Sequence, residues 1–143
     1  KSIKFDKNNV LDYISNIYSA FELIIDRDAD YENIDALSMA SDNVWCAGVI
    51  LGNPIENWKN IDFNTLKSTL YWNDETPQEA IIKDANPFDT LAWVINLRLS
   101  LNLNIPKGSK IITGSVIKTR SPKKGDVVTY NVGNLSETKI RLI

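Results

Sequence analysis

The apolar and polar positions of this chain alternate in blocks short enough to predict many small elements. Asp6-Lys7-Asn8-Asn9 offers capping side chains, and apolar residues at 10, 11, 14, 17 and 18 then recur with helical period, predicting an amphipathic helix. Phe21-Glu22-Leu23-Ile24-Ile25 and the stretch Val44 to Leu51 are apolar and rich in β-branched residues, as buried strands are. Between them, residues 33 to 40 read as a short helix. Gly52-Asn53-Pro54 is expected to break the second strand, and Leu66 to Trp72 alternates like a half-exposed strand turned by Asn73-Asp74. Pro87 in a first turn, with Asn86 as cap, predicts a helix to Leu101 whose Leu91, Trp93, Ile95 and Leu99 pack on a sheet. Strands at 110–113, 126–132 and 136–142 complete the pattern, with turns at Gly125 and Gly133-Asn134. The class is α+β with mostly antiparallel strands. No internal repeat or low-complexity linker interrupts it.

Composition narrows the chemistry more than the fold. A chain of 143 residues can bury a real core as one domain, and a formal charge of −2 without a dense basic run argues against nucleic acid. No apolar run approaches the ~20 residues that span a bilayer, which argues against a membrane. The single cysteine, Cys46, cannot form an internal disulfide and fits a reducing cytoplasm. Histidine is absent, so imidazole acid–base catalysis and His-ligated zinc are excluded within the chain. Proton transfer must then use carboxylates, lysine, tyrosine, hydroxyls or water.

Two features could carry chemistry. Glu22 sits in an otherwise apolar strand, where a carboxylate either faces solvent and pairs with a cation or serves a bound ion. Ile112-Thr113-Gly114-Ser115 reads as a strand ending in a glycine turn that carries two hydroxyls. It is either an ordinary turn or a place where backbone N–H groups and hydroxyls meet an oxyanion or carboxylate. Trp45, Trp58, Trp72 and Trp93, with Tyr71, suit core and interface positions better than a stacking platform. Cys46 reads as a small buried residue rather than a nucleophile, since no histidine is available to activate it.

Four segments in order resemble the 2-keto-4-pentenoate hydratase group of the fumarylacetoacetate hydrolase superfamily. Ser19-Ala20-Phe21-Glu22-Leu23-Ile24-Ile25-Asp26 resembles its P-A-L-E strand, and Ser41-Asp42-Asn43 with Val49-Ile50-Leu51-Gly52 resembles its A-D-N and following L-G stretch. Pro87-Phe88-Asp89-Thr90-Leu91-Ala92-Trp93 resembles its H-P-L-x-A-L-A-W helix start, and the ITGS turn with the final strands is the fourth. The resemblance implies a mixed, mostly antiparallel β-roll with flanking helices. It implies a lyase that hydrates 2-hydroxy-dienoate or 2-keto-enoate acids through an enolate held on Mg²⁺ or Mn²⁺, in aromatic catabolism. Glu22 matches a metal-ligating glutamate, while Thr113, Gly114, Ser115, Asp42 and Asn43 match substrate-binding positions. The implied partners are a small 2-keto acid and further copies of the chain in a homo-oligomer.

The departures from that pattern matter equally. The other two metal ligands come from an E-x-E motif that this sequence does not carry, and the lysine and acid used for proton transfer are also missing. Catalytic residues are therefore unassigned. Val44 and Trp45 stand where the group has a small residue and a serine, and Gln78-Glu79-Ala80 and Ala85-Asn86 stand where it has glycines. The chain, which starts without methionine, is read as one domain over 1–143, the C-terminal part of a longer polypeptide. Three alternatives stay open: a non-catalytic or degenerate binding module, a fragment without its metal site, and a 2-oxo-3-enedioate decarboxylase. A C–C bond hydrolase of the wider superfamily is disfavoured by the missing histidine.

Overall fold

The structure, a computed structural model, describes residues 4–143. Two antiparallel sheets form its frame. The first pairs β1 (Tyr18–Ile24) with β2 (Cys46–Pro54), and the second has the order β4-β3-β5-β6, built from β3 (Lys67–Trp72), β4 (Gln78–Ile81), β5 (Val127–Val132) and β6 (Ser136–Arg141). Two α-helices, α1 (Ala36–Ser41) and α2 (Pro87–Ser100), accompany them. The α+β class and the antiparallel pairing agree with the sequence pattern.

Hydroxyl groups join the two sheets. Alternation along β6 turns Ser136 and Thr138 inward and Glu137 and Lys139 outward. The buried Ser19 of β1 meets both hydroxyls, at 2.9 Å and 2.6 Å, and its backbone N–H donates to Ser136 at 3.0 Å. Ser136 in turn donates to the carbonyl of Asn53 on β2. Gly52 lies at the same seam. A Cβ there would fall on the carbonyl oxygen of Glu137 and within 2.5 Å of the Ser19 and Thr138 hydroxyls. The expected strand break at Gly52-Asn53-Pro54 does not occur: β2 runs through all three, because the glycine serves close approach to β6 rather than a turn. Beside the seam, Ile55, Trp58, Phe63 and Val132 form the apolar core, and Leu11, Ile14 and Ile17 pack against it.

Several other expectations are corrected. The helix predicted over 10–18 is a single 3₁₀ turn, Asn9–Tyr13, after which Ile14 is extended. The Asp6 carboxylate accepts from the N–H groups of Asn8 and Asn9 and shapes that turn, while β-branched Ile14 and Ile17 favour extended chain. The apolar spacing that suggests a helix instead carries Leu11, Ile14 and Ile17 to the core across a turn and a straight segment. The strands at 21–25 and 44–51 are not buried: only Ser19 of β1 is, and Leu23, Ile24 and Ile25 are exposed. A sheet of two strands has too little partner surface to cover its far end. β2 also begins later, at Cys46, because Asn43, Val44 and Trp45 have φ of 52, 51 and 61°. No strand forms over 110–113; residues 101–126 follow an irregular path.

Helix α2 has nearly the predicted bounds, with Pro87 in its first turn, but its packing differs. Asn86 adopts φ 43° and makes no side-chain cap; its carbonyl accepts from the N–H of Thr90 at 2.9 Å. The helix rests on the N-terminal turn and the 82–85 turn rather than on a sheet. Phe88 meets Phe63 edge-on at 5.3 Å, Ala92 is buried, and Asn96 exchanges two hydrogen bonds with the backbone of Phe5. Trp93, expected to pack inward, is 63% exposed.

The irregular 101–126 segment is fastened at its end. Arg120 forms a two-pronged ion pair with Glu75 at 2.8 and 2.9 Å and lies over the Trp72 ring at 4.2 Å. Asp126 then accepts from Asn73 at 2.8 Å, from the Lys123 N–H at 2.9 Å and from Trp72 Nε1 at 3.2 Å. These donors, the Asn73 amide first, hold the Asp126 carboxyl below the usual carboxylate range. An unfolded aspartate titrates near ~3.9. The stabilisation is therefore present above that value and lost as pH falls through the lower folded value. Melting temperature followed from pH 6 to pH 2 should drop in the acid, and Asp126→Asn should lessen that drop; an unchanged pH profile would dismiss the assignment.

Candidate functional site

The residues singled out by sequence lie at the outer end of the two-stranded sheet and on the irregular segment. Glu22 is opposite Val49 in the β1–β2 ladder, and its carboxylate is exposed. Its notable neighbour is Cys46: hydrogen bonding to the Glu22 carboxylate, then partial burial, raises the thiol above its ordinary range. That keeps Cys46 protonated and makes it a poor nucleophile, as expected from the missing histidine.

Asp42 and Asn43 follow α1, whose N-cap Asp35 accepts from the Ser38 N–H at 2.7 Å. Asp42 is ion-paired with Arg27, and the Asn43 side-chain amide donates to the Cys46 carbonyl at 3.2 Å. Both polar groups are thus engaged within the protein. The loop before α1 folds back on them: Tyr31 donates to Asp26 at 2.6 Å and meets the Trp45 ring edge-on at 5.5 Å. Trp45, standing where the resembled group carries serine, therefore fills space that a hydroxyl would leave open.

Thr113 is half-buried and Gly114 has φ 100° with no neighbouring atom within 4 Å of where a Cβ would sit. The open backbone suits close approach by a ligand, as the sequence reading requires. Ser115 is occupied locally, donating to the Ile117 carbonyl and accepting from the Ile117 N–H at 3.2 Å. Its hydroxyl must leave that turn to orient anything else. Among the described residues, no hydrogen bond joins Thr113–Ser115 to Glu22, Asp42 or Asn43.

The fit to a divalent ion can be judged from the donors. Magnesium takes about six oxygen ligands in a near-octahedral set, commonly with one or two carboxylates and several waters. Among the described residues no group of three or more Asp, Glu, Cys or His could hold a metal ion. Glu22 has a protonated thiol beside it in place of a second carboxylate. These residues do not make a metal site by themselves.

The departures at the glycine positions have clear structures. Gln78 to Ile81 form β4, paired with β3 and secured by a Lys67–Glu79 ion pair at 3.1 Å. Asn86 takes the left-handed conformation before Pro87, a role asparagine fills better than other non-glycine residues. One feature escaped the sequence reading: an open cleft of about 290 Å³ between α2 and the 105–111 segment, lined among others by Val94, Arg98, Ile105, Lys110 and Ile111. The available signal was the pair of cations on either side of the Pro106-Lys107-Gly108 turn.

Comparison with known proteins places this geometry. No family model matches the chain. A 2-oxo-hept-4-ene-1,7-dioate hydratase of Escherichia coli is 29% identical, over 97% of this chain and 54% of the hydratase. A 4-oxalocrotonate decarboxylase of Pseudomonas putida is 25% identical, over 92% of this chain and 53% of the decarboxylase. The solved 4-oxalocrotonate decarboxylase from Pseudomonas putida G7, complexed with magnesium and adipate, superposes with a TM-score of 0.84 at 23% identity, over 96% of this chain and 53% of that one. Its complex with calcium and acetate gives 0.81 at 24% identity. The chain spans about half the length of the curated relatives it matches. The resemblance read from the four segments is borne out by these relatives, and the fold is that of the decarboxylase structure over nearly the whole chain.

Proposed function

We propose that this chain is part of a lyase for 2-keto-enoate acids, hydratase or decarboxylase in reaction type, and that residues outside these 143 complete its site. The observation that carries the reading is likeness over nearly the full chain to one hydratase and to decarboxylases. In this reading residues 1–143 act as one domain, the C-terminal part of the complete enzyme, and its work lies in aromatic catabolism in the cytoplasm. Glu22 contributes one of the carboxylates for Mg²⁺ or Mn²⁺, an ion whose role would be to neutralise charge developing on the keto acid. The chain's own groups would bind and orient. The open Gly114 backbone and the Thr113 and Ser115 hydroxyls take the acid's oxygens, and Asp42 and Asn43, released from Arg27 and Cys46, border it. Self-association belongs to the same reading, supported by exposed aromatic and aliphatic side chains.

The test is parallel assay of the native gene product, with Mg²⁺, for hydration of 2-hydroxypenta-2,4-dienoate and for CO₂ release from a 2-oxo-3-enedioate. Turnover of either supports the reading and separates the two reactions; turnover of neither sinks it. For the 143-residue chain alone, calorimetric titration should show no saturable Mg²⁺ uptake tighter than ~1 mM, since one carboxylate cannot replace the ion's hydration shell. Tighter binding would mean that the chain holds a complete ligand set.

A second reading, a non-catalytic member acting as a binding module, is favoured by specific engagements. Asp42 is paired with Arg27, Ser115 is closed on Ile117, and Trp45 packs on Tyr31. Each removes a group or a space that a substrate would need.

A further inference from the structure

Residues 105–119 carry the Ile112-Thr113-Gly114-Ser115 turn and have little to hold them. They join no ladder, and among the described residues their hydrogen bonds stay local, Ser109 to Pro106 and Ser115 with Ile117. Lys110 reaches the Tyr18 ring at 5.9 Å, close to the ~6 Å limit of a cation–π contact. Residues 90–125 contain no Asp or Glu, so a cation in that stretch can meet a carboxylate only from elsewhere in the chain. Of those cations, among the described residues, Arg120 alone does so.

The receiving end is a tight turn after β3. Asn73 has φ 50°, and the Glu75 N–H donates to the Trp72 carbonyl at 3.0 Å. The turn offers the Trp72 ring and the Glu75 carboxylate to one side chain. The Arg120 guanidinium lies over the ring at 4.2 Å and forks onto both carboxylate oxygens. A two-pronged pair fixes orientation as well as distance, which a single contact between exposed ends, such as Lys67–Glu79, does not. The Arg120 side chain is 30% exposed, against 64% for Lys67. Arg120 is therefore the first firm attachment of the chain after Ser115. On the other side the last one is the Asn104 carbonyl, which accepts from Arg98 at 3.1 Å.

We propose that Arg120 is a positioning residue, whose clasp on Glu75 and Trp72 sets where the turn of Thr113, Gly114 and Ser115 stands. What the turn binds rests on the functional reading above; what holds the turn rests on these contacts alone. Without the clasp the turn is tied only through Lys110 and Asn104. The acid's oxygens then meet donors that are no longer aligned, which weakens binding and leaves the chemical step as it was.

In the native gene product, Arg120→Ala and Glu75→Ala should each raise KM for the 2-keto acid about tenfold and leave kcat within about twofold. The exchanged pair Arg120→Glu/Glu75→Arg should bring KM back to within about threefold of the parent, because it rebuilds the fork from the other side. Endoproteinase Lys-C gives a readout independent of turnover: it cuts after lysine, and Arg120→Ala removes no site. Cleavage after Lys118 should quicken about tenfold in Arg120→Ala, while Lys67 on β3 and Lys139 on β6 keep the parent's rates. An unchanged Lys118 rate overturns the proposal. So does faster cleavage at Lys67 and Lys139 in step with Lys118, which would make the pair a general brace of the fold. A KM that does not move, or that stays raised in the exchanged pair, overturns it as well. If the parent turns nothing over, the lyase reading falls and the Lys-C pattern decides this proposal by itself.

Discussion

Gly52→Ala is expected to destabilise the fold by about 3 kcal/mol or more, since Gly52 has the closest surroundings of any glycine in the chain. The new carbon would overlap the Glu137 carbonyl oxygen on β6 and crowd the Ser19 and Thr138 hydroxyls. None of these can retreat cheaply. The carbonyl belongs to a strand already laddered to β5, and both hydroxyls are buried and bonded. Gly52 does not need its conformational freedom for a positive φ; it needs the missing side chain. Thermal melting checks this: a drop of roughly 10 °C is expected for a chain of this length. A melting temperature within ~2 °C of the parent would show that β2 and β6 can separate without loss, and that the two sheets do not form one unit.

Ser136→Ala should cost about 3 kcal/mol by a different route. The hydroxyl protons at the seam form one directed chain: Thr138 donates to Ser19, Ser19 to Ser136, and Ser136 to the Asn53 carbonyl. The Ser19 N–H also ends on Ser136. Removing Ser136 takes the acceptor from two donors of the buried Ser19, its N–H and its hydroxyl, each costing about 1–3 kcal/mol when left unpaired. Thr138→Val keeps the shape and deletes only the first link, so its cost should be nearer 1 kcal/mol. Urea unfolding of both variants decides the matter. Equal costs would mean that the links are independent and that Ser136 has no special place in the chain.

The sequence made β3, β5, β6 and α2 legible because each is announced by a local device. Asn73 and Gly125 bracket the β3 and β5 ends, Gly133-Asn134 turns β5 into β6, and Pro87 opens the helix. Regions whose outcome depends on distant partners were less legible. Ile14 and Ile17 keep a helical spacing while lying in extended chain, since the core only requires that they reach it. The 110–113 segment has strand-like composition but joins no ladder, although Lys110 lies over the Tyr18 ring at the start of β1. Gly52-Asn53-Pro54 has the composition of a break, yet the strand persists because β6 lies against it.

The candidate site divides along the same line. Glu22 is where its sequence context puts it, on a strand, whereas Thr113–Ser115 lies on an irregular path beside an open glycine instead of at a strand end. What surrounds them was not visible: the Arg27 partner of Asp42, the Tyr31 ring against Trp45 and the closure of Ser115 on Ile117 are all meetings of residues whose own segments give no sign of them. Asn86 shows the intermediate case. A glycine position in the resembled pattern is replaced, and an adjacent asparagine supplies the left-handed backbone instead.

The hydroxyl seam has a consequence for how this protein can change over generations. Each sheet is free to exchange its outward residues without consulting the other, which suits a fold retained at a TM-score of 0.84 with only 23% of residues in common. The seam has no such freedom. A larger residue at 52 demands smaller ones at 19 and 138, and losing one hydroxyl strands its neighbours, so Ser19, Gly52, Ser136 and Thr138 should vary together or not at all. Among descendants of this chain, these four positions are where substitutions would be found in matched sets.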